Sequence, residues 1–130
     1  MTDDTKINGK KILLVEDDTF YANLISQKLA HAECHLSYVA SGEDAIKQLE
    51  KEIPDVIVLD IILPGSMDGF AVLEKMRADD KFKNIPVIIL SNLSRLQDIE
   101  KGMKLGAFRY LVKASVAPSE IVSNIASVFA

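Results

Sequence analysis

The sequence has no tryptophan and a single cysteine, Cys34. One cysteine cannot close an internal disulfide, so the fold must rest on its core, as in proteins of reducing compartments. No apolar stretch approaches the roughly 20 residues that span a bilayer. The opening MTDDTKINGK lacks the apolar segment of a signal peptide. A cytoplasmic location and no membrane partner are therefore expected. There is also no basic patch or run: 15 Lys and Arg stand against 19 Asp and Glu, for a net charge of −4. That balance argues against direct nucleic-acid binding. Internal repeats, low-complexity tracts and domain linkers are missing as well. What is present suits one globular domain, with 130 residues, 48% hydrophobic and 26% charged, enough chain for a full core.

Hydrophobic patterning alternates between two kinds of segment. Lys11–Val15 and Phe108–Val112 read as strands, Cys34–Val39 alternates enough for another, and Asp55–Asp60 and Pro86–Leu90 are short apolar runs rich in β-branched residues. Runs of this kind read as strands buried on both faces. Between them, Thr19–His31, Ser41–Glu52, Gly69–Arg77, Ser94–Leu105 and Pro118–Phe129 read as helices. On the first of these, Phe20, Leu24, Ile25 and Leu29 recur near helical spacing. Ser41 is placed to cap the second, and Ser94 with Gln97 resembles a capping box on the fourth. Gly106 sits where a helix stops, and Pro118 where one starts. Residues 1–10 are polar and read as a flexible tail, leaving 11–130 as one domain. Five strand–helix alternations imply a doubly wound α/β fold: a five-stranded parallel sheet, order 2-1-3-4-5, flavodoxin-like, with helices on both faces.

The residues at the strand exits carry the chemistry. The first strand runs into Glu16-Asp17-Asp18, the third into Asp60, the fourth into Ser91 and the fifth into Lys113. In the expected strand order these ends are neighbours, at the edge where open parallel sheets bind ligands. Three clustered carboxylates raise one another's pKa unless a cation joins them. An all-oxygen set favours Mg²⁺, with Mn²⁺ as a substitute. A ligand bridging such an ion, the Lys113 ammonium and the Ser91 hydroxyl is most simply a phosphoryl group, with Asp60 as the attacking carboxylate. Asp18 is assigned to the helix start.

The segments LLVEDD, VIVLDIILPGSMDG, PVIILS and YLVK, taken together, resemble the receiver domain of bacterial two-component response regulators, over about Lys11 to Phe129. The resemblance implies a signalling switch rather than an enzyme. Asp60 is its implied phosphoacceptor, which takes the phosphoryl group from a histidine kinase or a histidine phosphotransfer protein. Glu16 and Asp17 are the implied acid pair, Asp17 the more direct Mg²⁺ ligand, and the Ile62 carbonyl the implied backbone ligand. Ser91 is the implied switch hydroxyl, Tyr110 the switch aromatic and Lys113 the phosphate-binding lysine. A downstream protein would read the face formed by 95–105, 108–112 and 118–129. Two departures stand out. The loop from Asp60 to Gly69 is one residue longer than the family pattern, and Ala114 replaces the usual proline after the lysine. The Lys113–Ala114 bond, commonly cis with proline, is open here between cis and trans.

The same residues bear on two other classes. An aspartate-nucleophile phosphohydrolase, the alternative class, usually carries a second acid two residues after the nucleophile, where this chain has Ile62. A flavin carrier would need a hydroxyl- and glycine-rich phosphate loop where this chain has three acids. His31, Cys34 and His35 read as ordinary helix-end and strand-start residues, and Met67, Met76 and Met103 as core or loop packing. Met1 mildly favours a complete single-domain regulator over an excised receiver.

Overall fold

A computed structural model describes residues 2–129. Met1 and Ala130, the expected outer limits of tail and domain, lie outside the described residues. Five strands, β1 (Lys11–Val15), β2 (His35–Val39), β3 (Val56–Leu59), β4 (Val87–Ser91) and β5 (Arg109–Val112), form one sheet in the order β2-β1-β3-β4-β5. All four neighbouring pairs are parallel. The helices are α1 (Asp3–Ile7), α2 (Thr19–Leu29), α3 (Gly42–Lys51), α4 (Gly69–Arg77), α5 (Leu96–Lys104) and α6 (Pro118–Ser127).

β3 and β4 are buried at every position, as two-sided coverage by helices requires. Leu13, Ile57 and Ile89 pack toward α3 and α4, whose Leu49, Leu73 and Met76 are fully buried. Alternate residues Ile12, Val56 and Ile88 face the other way, onto Ile25 of α2 and Ile121 of α6. The period of two along each strand thus divides one apolar run between two cores.

Helix starts follow the capping chemistry in most cases. The Ser41 hydroxyl accepts the Asp44 N–H at 3.1 Å, Asp68 accepts from Ala71 at 2.8 Å, and Glu120 reaches back to the Ala117 N–H at 3.0 Å. α5 ends at Leu105, and Gly106 turns the chain at φ +89°, a conformation that favours glycine.

Four expectations are corrected. The polar start is not a loose tail throughout: the Thr2 hydroxyl accepts the Thr5 N–H at 3.2 Å and caps α1. Ile7 is then fully buried, and Ser123 of α6 donates to Asp3 at 2.9 Å. One apolar residue at the end of a capped turn was enough to dock it. Ser94 and Gln97 do not form the capping box. The cap is Arg95, with no side-chain hydrogen bond to the backbone, and its guanidinium pairs with Asp98 at 2.8 Å instead. On α2 the buried set is Ala22, Ile25 and Leu29, while Phe20 is 75% exposed. Asp18 starts the helix in a phase that turns Phe20 outward. Met103, expected in core or loop packing, lies 45% exposed on α5.

Candidate functional site

Strand register builds the site. Val15 is paired with Leu59 across β1 and β3, and the Asp60 N–H donates to the Val15 carbonyl at 3.0 Å. This carries the ladder one residue past both strands and sets Glu16 next to Asp60. The Glu16 N–H is held in turn by the Val39 carbonyl at 3.0 Å. On the other side, Ser91 is paired with Val112, so that Lys113 emerges one residue beyond β5. Behind Asp60 the chain folds back tightly: the Gly69 N–H donates to the Ile61 carbonyl at 2.8 Å. A Cβ at residue 69 would strike the Asp60 carbonyl oxygen and the Ile61 Cα at 2.7 Å.

Carboxylate oxygens of Glu16, Asp17 and Asp60 lie within 4.8 Å of one another. Asp17 is exposed, while Glu16 and Asp60 are buried. The Lys113 ammonium bridges the buried pair, at 2.5 Å from Glu16 Oε1 and 2.9 Å from Asp60 Oδ2. The other oxygens take backbone donors. The Ile62 N–H gives to Asp60 Oδ1 at 3.2 Å, and the Asp18 N–H gives to Glu16 Oε2 at 3.1 Å. Burial pushes the Glu16 carboxyl up to about 7; the Lys113 hydrogen bond pulls it down, and the Asp60 charge adds to the rise. For Lys113, burial works against the ammonium, but its hydrogen bonds to Glu16 and Asp60 outweigh that, and the net shift is upward. The ammonium is therefore a fixed positive charge at neutral pH.

The other expected residues stand nearby. Ser91 is fully buried, and its hydroxyl accepts the Leu93 N–H at 3.3 Å. The Tyr110 hydroxyl donates to the Leu93 carbonyl at 2.6 Å. Burial, with the Asp98 and Asp60 charges, pushes this phenol up to about 12. Leu93 is thus gripped by Ser91 at its nitrogen and by Tyr110 at its oxygen. Ile62 is 57% exposed beside Asp60. Asp18 caps α2, accepting from Phe20 at 3.0 Å and Tyr21 at 3.3 Å. Lys113 opens a short 3₁₀ turn over Lys113–Ser115, and the Lys113–Ala114 bond is trans.

Two neighbours escaped the sequence reading. The Lys113 ammonium lies 4.5 Å from the centroid of the Tyr21 ring. An aromatic three residues past the helix cap beside an acid run was the available signal. Farther off, the Arg77 guanidinium donates to the carbonyls of Lys83, Ile85, Leu105 and Gly106 at 3.0–3.1 Å. Nothing in the local sequence marks an arginine whose partners are all backbone oxygens.

This geometry has clear relatives. Residues 12–126 match the response regulator receiver domain. The probable transcriptional regulator ycf27 of Cyanophora paradoxa is 34% identical over 94% of this chain and 49% of its own length. The chain spans about half the length of the curated relatives it matches. Among solved structures, the Mn²⁺-bound form of response regulator Rcp1 superposes with a TM-score of 0.82 at 28% identity, covering 91% of this chain and 92% of that one. The Francisella response regulator 1452 receiver domain superposes with a TM-score of 0.83 at 28% identity, covering 93% and 97%. The chain belongs to the response regulator receiver domain family. It is a two-component signalling domain of the kind phosphorylated on an aspartate.

Among the described residues no helix is long and apolar enough to cross a membrane.

Proposed function

We propose that Asp60 is the phosphorylated carboxylate and that the domain is a switch set by its phosphorylation. The observation that carries this reading is the Lys113 ammonium held 2.9 Å from Asp60 Oδ2 at the open end of the sheet, with Glu16 and Asp17 alongside. The donor is a phosphohistidine on a kinase or phosphotransfer protein. An Asp60 oxygen attacks phosphorus, the P–N bond breaks, and its electron pair leaves with the imidazole. Lys113 then has a dianionic phosphoryl group to pair with in place of the carboxylate charge. Ser91 exchanges the Leu93 N–H for a phosphoryl oxygen as its partner. The Ser91–Arg95 loop shifts with it, and Tyr110, freed from the Leu93 carbonyl, moves into the space vacated. Phosphorylation selects between two packings of this loop rather than creating a new fold.

The three carboxylates form an all-oxygen set with one exposed member, which fits a hard divalent cation that keeps several waters. Asp17 and Asp60 would hold Mg²⁺ or Mn²⁺, with Glu16 and the Ile62 carbonyl completing the set. Bound there, the ion would supply positive charge against the oxygens of the transferring group. The Mn²⁺-bound form of the relative Rcp1 is in keeping with this.

The output face comprises α5, β5 and α6 and acts on a downstream protein. The domain is one unit with α1 docked against it, and it works in the cytoplasm. The phosphohydrolase alternative is not favoured: Ile62 offers no proton donor two residues after Asp60. The experiment is incubation with Mg²⁺ and phosphoramidate, followed by intact mass, beside an assay of general phosphomonoesters. A single phosphoryl adduct, lost in Asp60→Asn, is expected. Rapid turnover of phosphomonoesters without an adduct would overturn the reading.

A further inference from the structure

Tyr21 has no part in the scheme above, yet its ring is the third neighbour of the Lys113 ammonium, after Glu16 Oε1 at 2.5 Å and Asp60 Oδ2 at 2.9 Å. The ring does not depend on Lys113 for its place. The Tyr21 N–H is fixed by the Asp18 cap at 3.3 Å, and its side chain packs on the α2–α6 side of the core, as Val116 also does. It therefore presents a fixed π surface to a charge that must change partners. When Asp60 becomes an acyl phosphate, its carboxylate charge is gone and the ammonium has to pass to a phosphoryl oxygen. Of its two ionic partners, only Glu16 then remains in its original form, and Glu16 alone would draw the ammonium away from phosphorus. A ring face attracts an ammonium over a broad area and offers it no competing proton acceptor.

We propose that Tyr21 is the positioning residue for Lys113, keeping its ammonium at the phosphoryl-binding spot while the ionic partner changes. This rests on the reading of Asp60 as phosphoacceptor. In the test reaction an Asp60 oxygen bonds to the phosphorus of phosphoramidate, and the P–N bond breaks with ammonia leaving on its own electron pair.

The test compares wild type, Tyr21→Phe and Tyr21→Leu, each checked for folding by thermal unfolding. The Phe variant keeps the ring and should label within about twofold of wild type, while Leu should label about three- to tenfold more slowly, the range of a partly desolvated cation–π contact. Mg²⁺ affinity by calorimetry should be unchanged in both, because Tyr21 is not among the residues whose oxygens would hold the ion. Proton NMR should show the Lys113 ε-methylene shifted upfield by the ring in wild type and Phe, and not in Leu. A Phe variant as slow as Leu, an unchanged rate in Leu, or a matching fall in Mg²⁺ affinity would overturn the proposal. Should Tyr21→Leu not fold, the Phe rate and the wild-type ring shift decide. If wild type takes no label at Asp60, the phosphoacceptor reading fails, and the ring shift still reports whether Tyr21 holds Lys113.

Discussion

Replacing Tyr110 by Phe removes one hydroxyl and little volume, which isolates the tie between β5 and the loop leading to α5. The hydroxyl donates to the Leu93 carbonyl at 2.6 Å. Such a bond nets about 0.5–1.5 kcal/mol, and a fully buried carbonyl left unpaired costs about 1–3 kcal/mol. Leu93 is only half-buried, so water can replace part of the bond, and a loss of about 1 kcal/mol is expected. If that loss is confined to the loop, the amides of residues 92–95 should open about fivefold more often, while β4 amides keep their protection. Native-state amide exchange with a parallel urea titration reads both quantities. The same variant carries a pH signature. Burial first, then the Asp98 and Asp60 charges, raises the phenol from an ordinary 10.0 to about 12. Folded protein therefore keeps this proton after the unfolded chain has lost it. The stability so contributed is fully present below pH 10 and is lost as pH rises toward 12. The Tyr21 and Tyr38 phenols are also raised by burial, so ultraviolet titration should show three phenols above the ordinary value in wild type and two in Tyr110→Phe. Unchanged exchange in 92–95, or equal acceleration throughout β4, would refute the view of this loop as a separately gated element.

Other outcomes follow from the same contacts. Asp17→Asn should weaken Mg²⁺ binding and slow phosphoramidate labelling without lowering the urea midpoint, since removing one of three clustered carboxylates relieves repulsion. Gly69→Ala should destabilise by at least about 2 kcal/mol in urea, because its Cβ meets backbone, which cannot rotate away as a side chain can. Ile62→Asn should speed decay of the acyl phosphate, followed by intact mass, since an exposed amide beside Asp60 can orient a water that the present apolar side chain cannot.

The central strands β1, β3 and β4 were legible because burial on both faces leaves short continuous apolar runs, whereas the half-exposed edge strands β2 and β5 carry a weaker pattern. The exits at Glu16, Asp60, Ser91 and Lys113 followed from the strand ends, and the order 2-1-3-4-5 from the strand–helix alternation, as one of two common doubly wound orders. Helix faces were less legible. Phe20 and Leu24 match a helical period as well as Ala22 and Ile25 do, and only the phase set by the Asp18 cap separates them. α1 was missed because Ile7 is a single apolar residue in a polar segment, so no periodicity precedes its burial. The Ser94 pattern misled because Arg95 and Asp98 satisfy each other one residue later. Contacts between distant segments leave little local trace: Tyr21 on Lys113 is marked only by an aromatic near an acid run, and Arg77 on four carbonyls by nothing.

The central claim is that one carboxylate, Asp60, receives the phosphoryl group. Borohydride reduction of the phosphoramidate-labelled protein, followed by peptide mapping, converts an acyl phosphate at its own position into a stable alcohol. The expected result is a single modified residue at 60, dependent on Mg²⁺ and missing from Asp60→Asn. Modification spread over Asp17 and Glu16, or labelling undiminished in Asp60→Asn, would contradict the account.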